Sequence, residues 1–202
     1  MKVLLINGSP HEKGCTYTAL SEVAKTLNAE GVDTEFFWIG TGALRGCIGC
    51  EKCFKLGQCV FDDDQANVLL KAMQEADGFV LGSPVYFAGP NGALCSLLDR
   101  VFYAGRKSFE GKVASAVVNC RRAGTSAALD RLFKYLTYGR LTVATSQYWN
   151  MTHGNTPEEV AQDREGLQIM RTLGTDMAFL LKATEGQTLP PREKQVWTNF
   201  VR

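Results

Sequence analysis

The stretch that decides the fold is KVLLIN, residues 2–7, followed by GSPHEKGCTYT, residues 8–18. Residues 2–7 form a nearly continuous apolar run, which is typical of a strand buried on both faces of a parallel sheet. Residues 8–18 are mostly small and polar, and residues 16–28 carry apolar side chains at helical spacing. This order predicts a strand, a tight turn and a helix, the opening unit of an α/β fold.

The rest of the chain repeats this alternation. Further strands are predicted at residues 33–39, 78–82, 112–119 and 141–146, and further helices at residues 65–75, 91–102, 124–138 and 158–181. Strands alternating with helices imply a parallel sheet covered on both faces, and the short first turn favours the doubly wound strand order 2-1-3-4-5. Asp62, Asp63 and Asp64 are interpreted as a solvated acidic run whose last member caps the helix at residues 65–75.

A single α/β domain is predicted for residues 1–185, because 202 residues suffice for one proper core. Residues 40–64 have neither the helical nor the strand spacing of apolar residues, and they are predicted to form a cysteine-rich insertion. The tail, residues 186–202, contains Trp197 and Phe200 and is expected to pack on the domain or on a partner subunit. Together with Trp149, these aromatic residues predict a homodimer or homotetramer, since exposed aromatic segments often mark interfaces.

The composition excludes several partners. Lys and Arg number 22 and Asp and Glu number 21, so the basic excess typical of a nucleic-acid binder is missing. The N-terminal apolar run is too short for a signal peptide, and no stretch approaches the roughly 18 apolar residues of a membrane span. We expect a cytoplasmic protein, where cysteines suit metal binding or redox chemistry better than disulfides.

The loop at residues 8–18 has the chemistry of an anion site. Backbone N–H groups and the positive end of the helix dipole both favour a phosphate there. The loop has neither the ATP or GTP P-loop pattern nor the Gly-x-Gly-x-x-Gly pattern. Simple helix capping by Ser9 and Thr16 is the alternative, but the position between strands one and three favours a ligand. The side chains that offer hydrogen bonds or charge are Ser9, His11, Lys13, Thr16 and Thr18.

Gly8-Ser9-Pro10, a short polar stretch and Gly14-Cys15-Thr16 resemble the phosphate loop of the NADPH-dependent FMN reductase family, within the flavodoxin-like superfamily. That family usually has Asn where this chain has Cys15, so one amide donor is replaced by a thiol. The resemblance implies a flavodoxin-like three-layer sandwich that holds the phosphate of FMN in this loop.

Two further loops follow strands at the same sheet edge. In residues 83–91, the aromatic side chains can lie against a flavin ring and the backbone N–H groups can face its N5 and O4 atoms; an ordinary strand exit is the alternative. In residues 119–124, Asn119 can bind the pyrimidine edge of the flavin. Arg121 or Arg122 can stabilise the reduced flavin, bind the 2′-phosphate of NADPH, or remain solvated at a helix start. The proposed contacts in these loops are Pro84, Val85, Tyr86, Phe87, Asn119, Arg122 and Gly124.

Four cysteines, Cys47, Cys50, Cys53 and Cys59, have the spacing C-x2-C-x2-C-x5-C. Ferredoxin-type [4Fe–4S] clusters use a similarly compact run. Structural zinc sites more often pair two C-x2-C units across a longer spacer, so zinc is the second choice and an empty site the third. The run resembles that of iron–sulfur flavoproteins, a branch of the same family, which implies that these four cysteines bind a [4Fe–4S] cluster.

The resemblance implies an FMN-dependent oxidoreductase or electron-transfer flavoprotein in which the flavin carries the chemistry, so no catalytic side chain is assigned. NAD(P)H is the expected co-substrate, and a small-molecule acceptor or a ferredoxin-like protein the expected redox partner. One alternative is an NAD(P)H-dependent reductase of quinones, azo or nitro compounds or free flavin, with structural or zinc-bound cysteines. Another is a non-enzymatic electron carrier.

Overall fold

The computed structural model describes residues 1–198 and has an α/β architecture. The strands are β1 (Lys2–Asn7), β2 (Asp33–Trp38), β3 (Gly78–Tyr86), β4 (Gly89–Pro90), β5 (Val113–Cys120), β6 (Thr142–Val143) and β7 (Met151–His153). The helices are α1 (Cys15–Ala29), α2 (Cys53–Leu56), α3 (Ala66–Glu75), α4 (Gly92–Gly105), α5 (Thr125–Tyr138), α6 (Pro157–Gln162) and α7 (Arg164–Thr184), with a 3-10 helix at Arg106–Phe109. No described helix is long and apolar enough to cross a membrane.

The strands form one twisted sheet along the path β2-β1-β3-β5-β6. All neighbours on this path run parallel. Strand β4 folds back antiparallel on the end of β3, and β7 pairs parallel with the end of β5. The predicted doubly wound α/β sheet is thus confirmed, and it differs from the five predicted strands by these two short additions.

The last predicted strand, residues 141–146, is wrong in its extent. Only Thr142–Val143 pairs with β5 there, and the chain returns as β7 beside the carboxyl end of the same strand. Buried hydrogen bonds fill the interval: Ser115 Oγ donates to the Ala144 carbonyl at 2.8 Å, and Asn150 Nδ2 donates to Ser115 Oγ at 3.0 Å. Together with the backbone bonds from the Ala144 N–H to the Ala114 carbonyl at 2.9 Å and from the Val118 N–H to the Asn150 carbonyl at 3.1 Å, they tie the chain between β6 and β7 to the sheet.

The single final helix predicted at residues 158–181 is also wrong, because the chain breaks at Asp163 into α6 and α7. The Asp163 carboxylate accepts from the Gly166 N–H at 2.9 Å, as a helix cap does, and from the His153 N–H at 2.7 Å. The cap ties the start of α7 to β7. The apolar period continues across the break, which hides the break in the sequence.

Two apolar layers cover the sheet, and β1 contributes to both. Leu4 and Ile6 face the layer under α3, α4 and α5, whereas Val3 and Leu5 face the layer under α1 and α7. Alternate side chains of a strand point to opposite faces, so an apolar residue is needed at every position. This explains the continuous run of residues 2–7 and gives the predicted three-layer sandwich.

The tail contacts its own domain in its first part. Arg140 donates to the Pro190 carbonyl at 3.1 Å, and Arg192 pairs with Glu110 at 2.8 Å. Trp197 is exposed. Phe200, the other aromatic residue noted in the tail, lies outside the described residues.

Gly174 of α7 packs against α1 so closely that an added Cβ would lie 2.7 Å from Thr26 Cβ and 3.1 Å from the Val23 carbonyl oxygen. We expect Gly174→Ala to lower the free energy of unfolding by about 1–3 kcal/mol through overpacking, although alanine favours helix by about 1 kcal/mol. Urea denaturation followed by circular dichroism measures the change. Gly92→Ala, at the start of α4 with open space around it, is the control; equal stability of the two variants would contradict the prediction.

Candidate functional site

The loop between β1 and α1 lies directly on β3 and α4. The Gly8 N–H donates to the Gly82 carbonyl at 2.8 Å. A Cβ at Gly8 would lie 2.6 Å from Leu94 Cδ2 and 2.8 Å from the Gly82 oxygen, so only glycine fits. The backbone therefore leaves the sheet at its carboxyl edge, where doubly wound folds bind ligands.

Two residues that sequence reasoning missed hold this loop in shape. Asn7 Nδ2 donates to the Glu12 carbonyl at 2.8 Å, and its Oδ1 accepts from the Ser9 N–H at 3.1 Å. Trp38 Nε1 donates to the Ser9 carbonyl at 2.8 Å. Asn7 and Trp38 are the last residues of β1 and β2. The only sequence signal for their role was a side-chain N–H donor at the end of a strand, beside a loop. Ser9 is buried and its Oγ accepts from the His11 N–H at 3.1 Å, which closes the turn.

Thr16 carries an unpartnered polar atom at the start of α1. Its side chain is 1% exposed, and its Oγ1 has no hydrogen-bond partner within residues 1–198. Leaving such a group unsatisfied costs about 1–3 kcal/mol. The helix begins after Gly14 without a side-chain cap, so the Thr16 hydroxyl and the first N–H groups of α1 are available together to an anion.

The other side chains of this loop that are predicted to contact a ligand differ in whether they are free to do so. Thr18 Oγ1 already donates to the Gly14 carbonyl at 3.2 Å. Cys15 is half-buried, and burial raises the pKa of its thiol, so it stays neutral beside an anion. His11 is exposed at the outer side of the loop.

The second loop is a strained hairpin. Strand β3 extends to Tyr86, and the chain turns back through Phe87 and Ala88, whose φ angles of 51° and 60° lie in the left-handed region. Turns of this kind prefer Gly or Asn, and strained non-glycine residues often cluster at functional sites. Phe87 is fully exposed and Tyr86 is 45% exposed. The hairpin therefore presents two aromatic side chains at the sheet edge.

The third loop docks on the tip of the second. Gly124 has a φ of 91°, and a Cβ there would lie 2.8 Å from Ala88 Cα and 3.1 Å from Val85 Cγ1. Pro84 pairs with Asn119 in the β3–β5 register. Arg121 and Arg122 are exposed between them.

The structure gives the Asn119 side chain a role inside the protein. It is 5% exposed, its Oδ1 accepts from Thr152 Oγ1 at 2.9 Å, and its Nδ2 donates to the Gly154 carbonyl at 3.1 Å. These bonds tie β5 to the end of β7. The predicted flavin contact of this loop therefore depends on its backbone and on Arg122 more than on the Asn119 amide.

Asn91 joins the first two loops. Its Nδ2 donates to the Gly8 carbonyl at 2.7 Å, its N–H donates to Ser83 Oγ at 2.9 Å, and its Oδ1 caps α4 at the Ala93 N–H at 3.0 Å. The sequence placed Asn91 at a helix start but gave no sign of the bond to Gly8, which spans 83 positions. The three loops thus form one continuous surface.

A separate pocket is lined by all four clustered cysteines, together with Arg100 and Tyr103 of α4. Its volume is about 70 Å³, far below the roughly 300–1,000 Å³ of small-molecule sites. Cys47 and Cys50 are exposed and Cys53 and Cys59 half-buried. Among residues 1–198, no three Cys, His, Asp or Glu side chains converge closely enough for a single metal ion.

The chain turns around this pocket through left-handed residues. Gly49, Glu51 and Gly57 have φ angles of 65°, 58° and 68°. Arg100 lies eight residues after the start of α4 at Gly92, about 12 Å along the helix. The cysteine pocket therefore lies beside the second half of α4, which contributes Arg100 and Tyr103 to its lining.

The interpretation of Asp64 as a solvated residue is wrong, because its side chain is buried. One carboxylate oxygen accepts from the Ala66 N–H at 3.0 Å, which agrees with the predicted helix cap. The other forms an ion pair with Arg100, and both side chains are buried. Sequence reasoning missed Arg100, whose only signal was a charged residue among the apolar residues Leu97, Leu98 and Val101.

The Asp64–Arg100 pair is charged at neutral pH. Burial by itself raises the pKa of Asp64, but hydrogen bonds from Arg100 and from the N–H groups of Ala66 and Arg45 outweigh it and hold that pKa below its ordinary value. Burial lowers the pKa of Arg100, and its bonds to Asp64 and Cys59 outweigh this effect, so the pKa is raised.

Comparison with known proteins adds to this geometry. The model of the NADPH-dependent FMN reductase family matches residues 1–156. An iron-sulfur flavoprotein of Methanocaldococcus jannaschii is 33% identical over 192 residues, covering 90% of this chain and 98% of the relative. An iron-sulfur flavoprotein of Archaeoglobus fulgidus is 34% identical over 171 residues, covering 82% of this chain and 83% of the relative.

Solved structures have the same fold. RosB matches with a TM-score of 0.74 and 14% identity, over 100% of this chain and 92% of that one. A flavodoxin from the domain Archaea matches with a TM-score of 0.62 and 15% identity, over 90% and 99% of the two chains. The predicted flavodoxin-like fold is confirmed.

Substitutions of Asn91 can separate its hydrogen bond to Gly8 from its role as the cap of α4. We expect Asn91→Ser to keep an acceptor for the Ala93 N–H but to lose the donor to Gly8, whereas Asn91→Ala loses both. The alanine variant should be about 1 kcal/mol less stable than the serine variant, while both bind FMN more weakly than the wild type. Thermal unfolding and fluorescence titration with FMN measure the two effects. Wild-type FMN affinity in Asn91→Ser would contradict the prediction.

Proposed function

Because this chain belongs to the NADPH-dependent FMN reductase family, in its iron–sulfur flavoprotein branch, we propose that it is an FMN-dependent oxidoreductase coupling the flavin to a [4Fe–4S] cluster. The observation that carries the FMN site is the buried, unpartnered Thr16 hydroxyl at the start of α1. The cluster site is supported by the four cysteines lining one pocket.

In the proposed complex, the first loop binds the flavin phosphate. The Thr16 hydroxyl and the N–H groups at the start of α1 donate to phosphate oxygens, and the Ser9 hydroxyl adds a donor while its oxygen still holds the turn. The neutral Cys15 thiol brings no negative charge to the site. Thr18 contributes by fixing the Gly14 carbonyl, and the exposed His11 imidazole offers a further hydrogen-bonding group.

The other two loops surround the flavin ring. A bound flavin supplies hydride and single-electron chemistry. Tyr86 and Phe87 would lie against the ring and exclude water, and backbone N–H groups near Val85 and Gly124 would bind its polar edge. The exposed Arg122 guanidinium stabilises negative charge there or binds the 2′-phosphate of NADPH. NAD(P)H is the proposed co-substrate.

The cysteine pocket suits a compact iron–sulfur cluster in its donor set. The spacing Cys47, Cys50, Cys53 and Cys59 keeps all four sulfurs on one short segment, whereas structural zinc sites more often join two separated knuckles. The Arg100 Nε–H donates to Cys59 Sγ at 3.2 Å, so a charged donor holds this sulfur in the pocket. The proposed [4Fe–4S] group would pass electrons to or from a small-molecule acceptor or a ferredoxin-like partner.

Exposed apolar side chains on the cysteine segment support a partner surface there. Ile48, Phe54 and Leu56 are each more than half exposed. A homodimer or homotetramer that covers this face is part of the proposal, since exposed apolar patches commonly mark interfaces.

The phosphate site is tested by replacing the Thr16 hydroxyl with a methyl group of similar shape. We expect Thr16→Val to weaken FMN binding about tenfold or more, because a hydrogen bond to a charged group contributes about 1.5–3 kcal/mol. Thr16→Ser keeps the hydroxyl and should stay within a few-fold of the wild type. Fluorescence titration of the apoprotein with FMN gives both values, and equal affinities for the valine and serine variants would refute the phosphate site.

The cluster is tested by anaerobic purification followed by iron, sulfide and zinc analysis. We expect about four iron and four sulfide per chain, with broad visible absorption that dithionite bleaches. Cys53→Ser should lose iron, and Cys95→Ser, a cysteine outside the pocket, should keep it. A yellow protein with zinc and no iron would support the reductase without a cluster instead.

A further inference from the structure

Arg100 is the largest fully buried side chain of the described chain and is only 2% exposed. Its guanidinium donates to four acceptors. These are Cys59 Sγ at 3.2 Å, the Arg45 carbonyl at 3.2 Å, the Phe61 carbonyl at 3.1 Å and the Asp64 carboxylate. A buried cation is unfavourable unless it is paired and hydrogen-bonded, and here every contact lies on the segment that carries the cysteines.

These contacts fasten the cysteine segment at both ends. Arg45 precedes the first cysteine and Phe61 follows the last one, so one rigid guanidinium joins the entry and exit of the loop. The Cys59 backbone is also held by Asn67, whose Oδ1 accepts from the Cys59 N–H at 2.8 Å and whose Nδ2 donates to the Cys59 carbonyl at 3.0 Å. The Cys59 sulfur is thereby kept next to the positive charge.

Cys59 thus differs from the other cysteines of the pocket. Cys47 Sγ accepts only a neutral backbone N–H, from Gly49 at 3.5 Å. Within the described residues, Cys59 is the one cysteine of the four with a hydrogen bond from a charged donor. Hydrogen bonds from charged donors are roughly twice as strong as those between neutral groups.

We propose that Arg100 is a positioning residue that fixes Cys59 as a cluster ligand and raises the reduction potential of the cluster through its N–H···S bond and buried charge. The inference rests on the proposed function. Reduction adds negative charge to the cluster and its sulfurs, so a donor and a cation beside one sulfur stabilise the reduced form more than the oxidised form. Asp64 partly cancels the Arg100 charge and holds the potential below the value that Arg100 alone would give.

The experiment uses the full-length protein, purified anaerobically with its cofactors. Wild type, Arg100→Gln, Arg100→Lys and Asp64→Asn are compared, each with iron, sulfide and FMN counts. Redox titrations followed by visible absorbance and electron paramagnetic resonance give the cluster potential. Arg106→Gln is the matched control, because Arg106 contacts Tyr138 instead of a cysteine.

We expect Arg100→Gln to shift the ratio of reduced to oxidised cluster about tenfold towards the oxidised form at a fixed potential, which equals about 59 mV for one electron. Arg100→Lys should shift it less, since it keeps the charge but loses the planar fork. Asp64→Asn should shift it towards the reduced form. Arg106→Gln should leave it unchanged.

An unchanged cluster potential in Arg100→Gln with full iron content would overturn the inference and assign Arg100 a purely structural role. If Arg100→Gln loses its cluster, the test passes to Asp64→Asn. A cluster reduction potential that stays the same or falls in Asp64→Asn overturns the inference. A wild-type protein without iron would overturn the proposed cluster itself, which the metal counts reveal before any titration.

Discussion

Strand β1 is buried on both faces and bonded on both edges, to β2 on one side and β3 on the other. Since all these strands run parallel, the loops that follow them emerge at one edge of the sheet. The first turn must then leave the sheet in very little space, and Gly8 meets that constraint against Gly82 and Leu94. The position of the proposed FMN site follows from this packing.

The loops at that edge contain a buried polar atom without a hydrogen-bond partner among the described residues, and residues with strained backbone angles. Thr16 Oγ1 is buried without a partner in the described chain, and Phe87 and Ala88 adopt left-handed backbone angles. Neighbouring polar groups are instead fully used: Asn119 binds β7, Thr18 binds Gly14, and Asn91 joins two loops. The side chains that are already hydrogen-bonded hold the loops in place, whereas the Thr16 hydroxyl is left available to a ligand.

The cysteine segment is stabilised in a different way. Residues 40–52 have no regular secondary structure, and its exposed Ile48 adds nothing to the core. Leu44 packs against the core, and a charged group provides a further anchor: Arg100 reaches from α4 to both ends of the segment and pairs with Asp64. An anchor of this kind places charge beside a cysteine sulfur, which an apolar core would not do.

By itself, the sequence determined the α/β class, the strand order, the polar loop between β1 and α1 and the cysteine run, because apolar period and local turn chemistry are properties of neighbouring residues. It did not locate the break between β6 and β7, where Asn150 bonds to Ser115, 35 positions away. It also did not locate the break at Asp163, because the apolar period continues across it while the Asp163 carboxylate binds the His153 N–H. The partners of Arg100 and Trp38, and the Gly8 partner of Asn91, lie 29 to 83 positions away in sequence. Only the tertiary structure decided them, because hydrogen bonds and ion pairs between distant residues depend on which elements the packed sheet brings together.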